Sequence, residues 1–293
     1  MDVKSPGMNI DRFRVRAGDR RAITRHDASY TAGLRDKEAA EEHLVKGIAH
    51  LEQRLEVLHA QAEHALLLVF QGMDASGKDG AIKHVMSGVN PIFTEVHAFK
   101  QPSSEELAHD YLWRASKALP ARGTIGIFDR SYYEDVIIVR VHPEILADQQ
   151  LPTDRRGPGI WRERFEDIRG FERHLSRNGT TIRKFFFHVS RQEQQRRLLE
   201  RFDDPTKNWK FSSRDVQERE HWNSYMGAYR EALAATSSVE APWYVVPADH
   251  KWFARLLVAE VITQTLDKMA MKVQTLSPTE KRRLAKVRRQ LLG

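Results

Sequence analysis

Short apolar runs alternate with longer amphipathic stretches along most of the chain. Five runs rich in β-branched or aromatic residues predict strands; they are residues 66–70, 94–99, 124–128, 182–189 and 243–246. Stretches of helical character lie between the later runs, at residues 104–119, 160–177 and 214–236. Strands that alternate with helices are typical of a parallel sheet covered on both faces, with ligands at the carboxyl ends of the strands. The pattern therefore predicts an α/β fold.

Residues 37–60 predict a long helix ahead of the first strand. Its apolar residues recur at alternating spacings of four and three, at Leu44, Ile48, Leu51, Leu55 and Leu58. Two interpretations stay open for this apolar face, namely packing on the sheet or a helix-pair contact in an oligomer.

Three segments are predicted: an arm over residues 1–36, a catalytic domain over 37–272 and a tail over 273–293. The arm is rich in arginine and poor in periodic apolar residues, so it predicts either a solvated tail or a strap over an anionic site. Leu284, Val287 and Leu291 make the tail an amphipathic basic helix, which is either a solvated appendage or a segment that attracts polyphosphate or nucleic acid. The formal net charge is +7, of which residues 280–293 contribute +5. A basic substrate channel would therefore have to arise from local clustering.

Composition narrows the class of protein. The chain has 293 residues, 41% of them hydrophobic, and no cysteine. No stretch approaches the ~20 apolar residues of a membrane span, and the N-terminus lacks an apolar signal region. We therefore expect a soluble cytoplasmic protein without a membrane partner. The interval 147–159, with two prolines and two glycines, predicts a surface loop.

The first predicted strand leads into a glycine-rich loop and then a helix. The loop sequence is Gly72, Met73, Asp74, Ala75, Ser76, Gly77, Lys78, Asp79 and Gly80. Glycines let backbone N–H groups surround a phosphate, the helix N-terminus adds its dipole, and Lys78 adds a cation. The sequence predicts a phosphate-binding loop; the alternative is a strand-to-helix turn that binds nothing.

Carboxylates beside this loop predict a metal. Asp74 would repel phosphate unless a cation lay between them, and Asp129 ends another predicted strand. Both are predicted Mg²⁺ ligands, with Mn²⁺ as a substitute. Arg130 follows Asp129 and is predicted to reach a phosphate; a structural Asp–Arg ion pair is the alternative.

Residues 191–222 predict a lid. Arg197 and Arg201 are four residues apart on one helix, and Lys207 and Lys210 follow a proline break. A lid that carries cations excludes water and neutralises a moving phosphoryl group. A charged surface helix is the alternative.

These segments together resemble the polyphosphate kinase 2 family, from the arm to about Met271. The matching stretches are residues 72–80, the run 129–136 (Asp-Arg-Ser-Tyr-Tyr-Glu-Asp-Val) and the run 205–211 (Pro-Thr-Lys-Asn-Trp-Lys-Phe). The resemblance implies a P-loop kinase core of three α/β/α layers around a five-stranded parallel sheet, with a helical lid. It implies Mg²⁺-dependent, reversible transfer of a terminal phosphoryl group between polyphosphate and a nucleotide. Asp79 is usual at its position in that family.

Residues 89–91 and 98–103 look most like the subgroup that accepts both AMP and ADP, although that subgroup often has Asn where this chain has Asp129. From the motifs and the resemblance we expect a polyphosphate:nucleotide phosphotransferase that forms ATP. The alternatives are a nucleoside monophosphate kinase using ATP, and a non-enzymatic binder of polyanions or nucleic acid.

The expected catalytic residues are Asp74, Lys78, Asp129, Arg130, Arg197 and Arg201, and the expected polyphosphate-binding residues are Lys83, Lys100, Lys207 and Lys210. The expected partners are polyphosphate, adenine nucleotides with guanine nucleotides as a further option, and other copies of the chain in a dimer or tetramer.

Overall fold

The structure is a computed structural model that describes residues 8–35, 37–210, 212–269, 271–272 and 277–292, without the side chain of Lys210. Within these residues five parallel strands form one sheet in the order β2-β3-β1-β4-β5. The strands are β1 Ala65–Gly72, β2 Thr94–Ala98, β3 Ile125–Asp129, β4 Thr180–His188 and β5 Trp243–Pro247. The predicted α/β class and the five-stranded parallel sheet are confirmed.

Helices connect the strands, and further helices precede the first strand and follow the last strand along the chain. In chain order they are α1 Lys37–Gln61, α2 Lys78–Val85, α3 Ser104–Leu107, α4 Trp113–Lys117, α5 Ile138–Val141, α6 Pro143–Asp148, α7 Ile160–Arg177, α8 Arg191–Asp203, α9 Ser213–Glu218, α10 Trp222–Thr236, α11 Lys251–Lys268 and α12 Pro278–Leu291. Short 3₁₀ helices include Tyr132–Val136 after β3 and Arg219–His221 between α9 and α10.

Two adjacent residues of β4 show that helices cover both faces of the sheet. Arg183 donates to Thr265 of α11, whereas the next side chain, Lys184, contacts Glu172 of α7. Successive residues of a strand point to opposite faces, so α11 and α7 lie on opposite sides. α1 and α2 pack with α11, and α10 packs with α7. The result is the expected three-layer arrangement.

β1 is the central strand and is buried along its whole length. Its run from Leu66 to Phe70 has no exposed surface, because a strand covered on both faces needs apolar residues in both directions. Each of these side chains stabilises the fold by about 1.5–3 kcal/mol through burial. The core thereby fixes the position at which the chain leaves the sheet at Gly72.

The apolar face of α1 packs inside the domain, but against helix α11, whereas the packing interpretation placed it on the sheet. Leu51, Leu55 and Leu58 are completely buried, and α1 lies along α11. Val45 is 67% exposed, so the opposite face of α1 meets solvent.

Two predicted helices are interrupted, and a predicted loop is partly helical. The stretch 104–119 forms α3 and α4, because the Asp110 side chain accepts a hydrogen bond from the Leu112 N–H and turns the chain. The stretch 214–236 forms α9, a 3₁₀ turn and α10. The predicted loop 147–159 begins inside α6 and contains the 3₁₀ helix Thr153–Arg155.

The described part of the arm lies along the outer edge of the sheet. The Val15 N–H donates to the Trp243 carbonyl at 2.8 Å, and the Val245 N–H donates to the Phe13 carbonyl at 2.9 Å. Phe13 and Val15 are each 2% exposed. Phe13 and Val15 therefore fix the arm to the sheet edge, so it is not a solvated tail, and none of residues 8–35 lines the cavity at the glycine-rich loop. A few apolar side chains suffice to cover the edge of β5, which would otherwise be unpaired.

The basic tail forms helix α12, as its periodicity predicted. Ser277 caps the helix and exchanges hydrogen bonds with Glu280, and every side chain of α12 that the structure describes is exposed. The division into arm, catalytic domain and tail stays a prediction. In the part of the chain that the structure describes, no helix has the length and apolar character needed to cross a membrane.

Candidate active site

The glycine-rich loop has the strand–loop–helix geometry that its sequence predicts. β1 ends at Gly72, and α2 begins at Lys78. Gly72 has φ +151°, and a Cβ there would lie 2.9 Å from the Phe187 carbonyl oxygen. Gly77 has φ +103° at the N-cap of α2. Side chains at these two positions would be strained, so the loop needs glycine at both.

Lys78 lies inside the loop with 5% of its surface exposed. Its Nζ donates to the carbonyl oxygens of Gly72 at 2.8 Å and Met73 at 3.3 Å. Burial lowers the pKa of Lys78, and the charge of Arg130 acts in the same direction, whereas three nearby aspartates oppose the shift. The ammonium group is thus held where an incoming phosphate would meet it.

Asp129 ends β3 beside β1, opposite Phe70 in the strand register. Its Oδ1 is buried and has no hydrogen-bond partner among the described residues. Burial raises the pKa of Asp129, and the positive charge of Lys78 opposes that shift. An unsatisfied carboxylate oxygen next to a phosphate loop fits a divalent cation.

Asp74 and Asp129 both line the same groove, so they could hold one Mg²⁺ together. The described residues contain no group of three or more histidine and acidic side chains arranged around a metal position. Mg²⁺ usually keeps several waters and shares one or two carboxylates with substrate phosphates. A site of two carboxylates is consistent with that preference.

Arg130 lines the groove but is held by two carboxylates. Its Nη2 donates to Asp74 Oδ1, and its Nη1 donates to Glu134 Oε2 at 3.2 Å. The pKa of Arg130 is raised, mainly by the Glu134 carboxylate. Burial acts in the opposite direction, and Asp74 adds to the rise. The two carboxylate contacts of Arg130 engage two of its five N–H donors, so three remain for the predicted contact with a phosphate.

Arg197 corrects one prediction. It is 4% exposed, and its five N–H groups are all engaged: Nη1 donates to Ala75 and Ser76 carbonyls, Nη2 to Ala248 and Asp249 carbonyls, and Nε to Glu193. A guanidinium has five donors, so none remains for a transferring phosphoryl group. Arg197 is a positioning residue that fastens α8 to the phosphate loop.

Arg201 is placed one turn further along α8 and lines the groove. Its Nη1 lies 3.4 Å from Asp215 Oδ2. Lys207 also lines the groove, with its Nζ 2.8 Å from both Glu200 and Asp204. Lys100 is a further lining residue of the groove.

The remaining predicted residues separate into two groups. Met73, Ala75, Ser76, Asp79 and Gly80 line the groove around the loop. Lys83 is exposed on α2 and does not line the groove. It lies more than one helical turn after Lys78, on the solvent side of α2. The side chain of Lys210 lies outside the described residues.

The groove, of about 1040 Å³, also contains residues that sequence reasoning missed. Asp215 faces Arg201, and burial raises its pKa, with Asp74 acting in the same direction. Lys251 and Arg255 come from the first turns of α11. Their i, i+4 spacing at a helix start was a usable signal, whereas Asp215 reaches the groove only through the tertiary fold.

Part of the groove lining is apolar. Phe99, Ile138 and Ile145 belong to this apolar part. Asp135 also lines the groove and accepts a hydrogen bond from Gln149 Nε2 at 2.6 Å. Burial raises the pKa of Asp135 to about 6. Apolar side chains with a few polar groups among them suit an aromatic ring system with polar edges.

Comparison with known proteins agrees with the geometry. The model of the family described as polyphosphate kinase 2 (PPK2) matches residues 34–274. The chain is 46% identical over 281 residues to an ADP-polyphosphate phosphotransferase of Rhodopseudomonas palustris, covering 96% of this chain and 97% of that protein. It is 43% identical over 264 residues to an AMP/ADP-polyphosphate phosphotransferase of Meiothermus ruber, covering 90% of this chain and 95% of that protein.

A solved structure supports the same fold. The crystal structure of polyphosphate kinase 2 from Arthrobacter aurescens superimposes with a TM-score of 0.83 at 36% sequence identity. The match covers 93% of this chain and 94% of that one.

Proposed function

The chain belongs to the polyphosphate kinase 2 family, and we propose that it transfers the terminal phosphoryl group of inorganic polyphosphate to ADP, AMP or both. The bond from the terminal phosphorus to its bridging oxygen breaks, and a bond to an oxygen of the nucleotide's last phosphate forms. Transfer to ADP gives ATP and a polyphosphate one unit shorter. Both relatives described above carry names of this activity.

One observation carries the proposal. A single groove is lined by a phosphate loop with its lysine, two carboxylates suited to a cation, and further lysine and arginine side chains. Carboxylates at an anion site are explained by a metal that binds between them and the phosphates. A simple polyanion binder would need the cations alone.

The residues act through position and charge. A nucleotide phosphate oxygen is already ionised at neutral pH, so the reaction needs no strong general base. Lys78 and the loop amides would hold phosphates, and Arg130 and Arg201 would face the charge on the moving group. Arg197 would keep the loop in shape for them.

Asp74 and Asp129 would hold Mg²⁺, or Mn²⁺ in its place. When bound, the metal neutralises phosphate charge and orients oxygens of the transferred group. The buried unsatisfied oxygen of Asp129 supports this assignment.

The groove lining offers two kinds of surface, which fits two substrates. Lys207, Lys251 and Arg255 contribute cations, which suit a polyphosphate chain. Phe99 and Ile138 contribute apolar surface, which suits a nucleoside. We assign the phosphate loop to the phosphates that exchange the phosphoryl group.

An ATP-formation assay tests the function. Purified protein is incubated with polyphosphate and ADP, AMP, GDP or GMP, with and without Mg²⁺. We expect magnesium-dependent ATP from ADP and ADP from AMP, and ATP with polyphosphate should regenerate ADP in the reverse reaction. A reaction of ATP with AMP in the absence of polyphosphate, with no use of polyphosphate, would favour a nucleoside monophosphate kinase instead.

We also propose a cytoplasmic homo-oligomer, a dimer or tetramer. Adenine nucleotides as acceptors support the location. Cell fractionation and light scattering of the purified protein test the two statements.

A further inference from the structure

A second, small cavity lies on the far side of the molecule from the phosphate loop. We call it the edge cavity; it measures about 110 Å³, and Asp11, Arg14, Arg183, Tyr244, Thr265 and Lys268 are among its lining residues. It therefore lies where the N-terminal arm crosses the start of β5 and the end of α11.

The edge cavity is separate from the groove. Lys251 of α11 lines the groove, whereas Lys268 lines the edge cavity. Seventeen residues of helix separate the two, which is roughly 25 Å at 1.5 Å per residue. No lining residue is shared between the two cavities as described.

Arg183 is a half-buried cation without a carboxylate partner. Its Nε donates to Thr265 Oγ1 at 2.9 Å and its Nη1 to the Ile182 carbonyl at 2.7 Å. Among the described residues it forms no ion pair, whereas its neighbour Lys184 is paired with Glu172 at 2.6 Å. Buried charges are normally paired, so Arg183 is the exception on this strand.

A second arginine makes the charge imbalance larger. Arg14 lines the same cavity, and its Nη2 donates to the Val239 carbonyl at 3.4 Å. Burial lowers the pKa of Arg183, and the charge of Arg14 lowers it further. The Tyr244 phenol acts in the opposite direction. Guanidinium groups nevertheless stay protonated near neutral pH. Three cations, Arg14, Arg183 and Lys268, thus face one acid, Asp11.

Donors remain available for a ligand. Within the described chain, Nη2 of Arg183 and Nε and Nη1 of Arg14 make no hydrogen bond to the protein. Two guanidinium groups with free donors on one small cavity match the oxygens of a phosphate group. The volume exceeds the ~30 Å³ that one water occupies in the liquid, so there is room for a small oxyanion.

We propose that the edge cavity binds a phosphate group between Arg14 and Arg183, remote from the reaction. Two sources share this chemistry, free orthophosphate and the end of a polyphosphate chain. Bound phosphate would tie the arm to β4 and α11, because Arg14 belongs to the arm and Arg183 to the sheet.

Calorimetric titration of the full chain tests the site. The Lys78→Ala variant is used as the background so that binding in the groove is weakened. Orthophosphate and tripolyphosphate are titrated separately, at matched ionic strength. We expect one site that survives Lys78→Ala. Adding Arg14→Gln should weaken it at least about tenfold, because a charge-assisted donor pair is lost.

Arg12→Gln is the matched control. It removes the same charge from the same arm, but Arg12 is exposed and does not line the edge cavity. Tighter binding of tripolyphosphate than of orthophosphate would identify the chain end as the ligand, and equal or weaker binding would identify free phosphate.

Two outcomes overturn the proposal: neither anion binds the Lys78→Ala protein at millimolar concentration, or Arg14→Gln and Arg12→Gln bind alike. Arg183→Gln is a second variant of the site and should weaken phosphate binding as well. If Arg183→Gln does not fold, the result for Arg14→Gln alone tests the proposal. Bound phosphate should also raise the melting temperature, and Arg14→Gln should abolish that rise.

Discussion

At Asp129 a proton would compete with the proposed metal ion for the same carboxylate. Burial raises the pKa of Asp129, so this side chain takes up a proton at a higher pH than an ordinary aspartate. Protonation removes a predicted metal ligand. We therefore expect kcat/KM to fall as the pH drops through this raised pKa, and we expect more Mg²⁺ to move the fall to lower pH.

The measurement is kcat/KM against pH at two Mg²⁺ concentrations. In Asp129→Asn the position of the acid limb should no longer depend on Mg²⁺, because the group that titrates is gone. Glu95→Gln is the control, since Glu95 is exposed on the edge strand β2. If the acid limb of the wild-type protein stays at the same pH at both Mg²⁺ concentrations, Asp129 is not a metal ligand.

The sequence does not predict which single residues adopt an unusual backbone conformation. Ala75 has φ +59° and Arg130 has φ +64°, and they are two of the four non-glycine residues with positive φ in the described chain. Such residues cost roughly 1–3 kcal/mol each and cluster at functional sites. The motifs identified both residues, but the conformation that turns Arg130 towards Asp74 appears only in the folded chain.

Helix α8 shows how one turn decides the role of an arginine. The spacing of Arg197 and Arg201 correctly placed them on one helix, and from that spacing both were predicted to face the phosphoryl group. In the structure Arg197 is buried against the loop carbonyls, and Arg201 lines the groove. Local sequence contains no information on how α8 is rotated against the loop.

Replacement of each arginine by lysine should separate the two roles. Arg197→Lys keeps a charge but loses the planar set of five donors, so loop carbonyls lose their partners. We expect a lower melting temperature together with a lower kcat. Arg201→Lys should lower kcat while the melting temperature stays within about 2 °C, because Arg201 has one long contact to Asp215.

Thermal unfolding and steady-state kinetics on both variants are the measurements. If Arg197→Lys were as stable as Arg201→Lys, Arg197 would not fasten α8 to the loop. A normal kcat in Arg201→Lys would remove Arg201 from the predicted catalytic set.

Lys184 of β4 and Glu172 of α7 form a buried ion pair. Lys184 Nζ donates to Glu172 Oε2 at 2.6 Å, and the hydroxyls of Tyr132 and Tyr133 donate to Glu172 Oε1. Both tyrosines lie in the 3₁₀ helix that follows Arg130. The pair therefore supports the segment that carries Asp129 and Arg130.

Glu172→Gln should destabilise the protein by about 3–5 kcal/mol, because it leaves the Lys184 ammonium group in the core without its carboxylate partner. Adding Lys184→Met removes that charge, so the double variant should regain much of the loss, while the amide oxygen of the introduced glutamine can still accept from the tyrosines. Urea unfolding of the wild-type protein and both variants measures this. A double variant less stable than Glu172→Gln alone would show that Lys184 contributes by other contacts.

Elements and their order could be predicted because apolar runs and periodicity depend on local sequence. The helix predicted over 160–177 matches α7, and the strand predicted over 243–246 lies within β5. Interruptions such as the Asp110 turn depend on one side chain and were missed. The edge position of the arm was missed as well, because it depends on a strand more than 200 residues away.

At the scale of the whole molecule, positive charge is concentrated away from the reaction. Residues 273–293 contribute +5 of the formal net charge of +7. α11 begins at the groove with Lys251 and ends at Lys268, so the tail follows the end of α11 that lies away from the groove. The family model also ends before α12, at residue 274.

Deletion of residues 273–293 should therefore leave kcat unchanged at saturating polyphosphate. Every described side chain of α12 is exposed, and attraction between exposed charges is screened over ~8 Å at physiological ionic strength. The tail can raise the rate of encounter with a polyanion but not the rate of the chemical step. We expect at most a modest rise in the KM for polyphosphate, measured at two salt concentrations. If kcat collapses in a truncated protein that still folds and binds nucleotide, the tail must complete the active site or an oligomer contact.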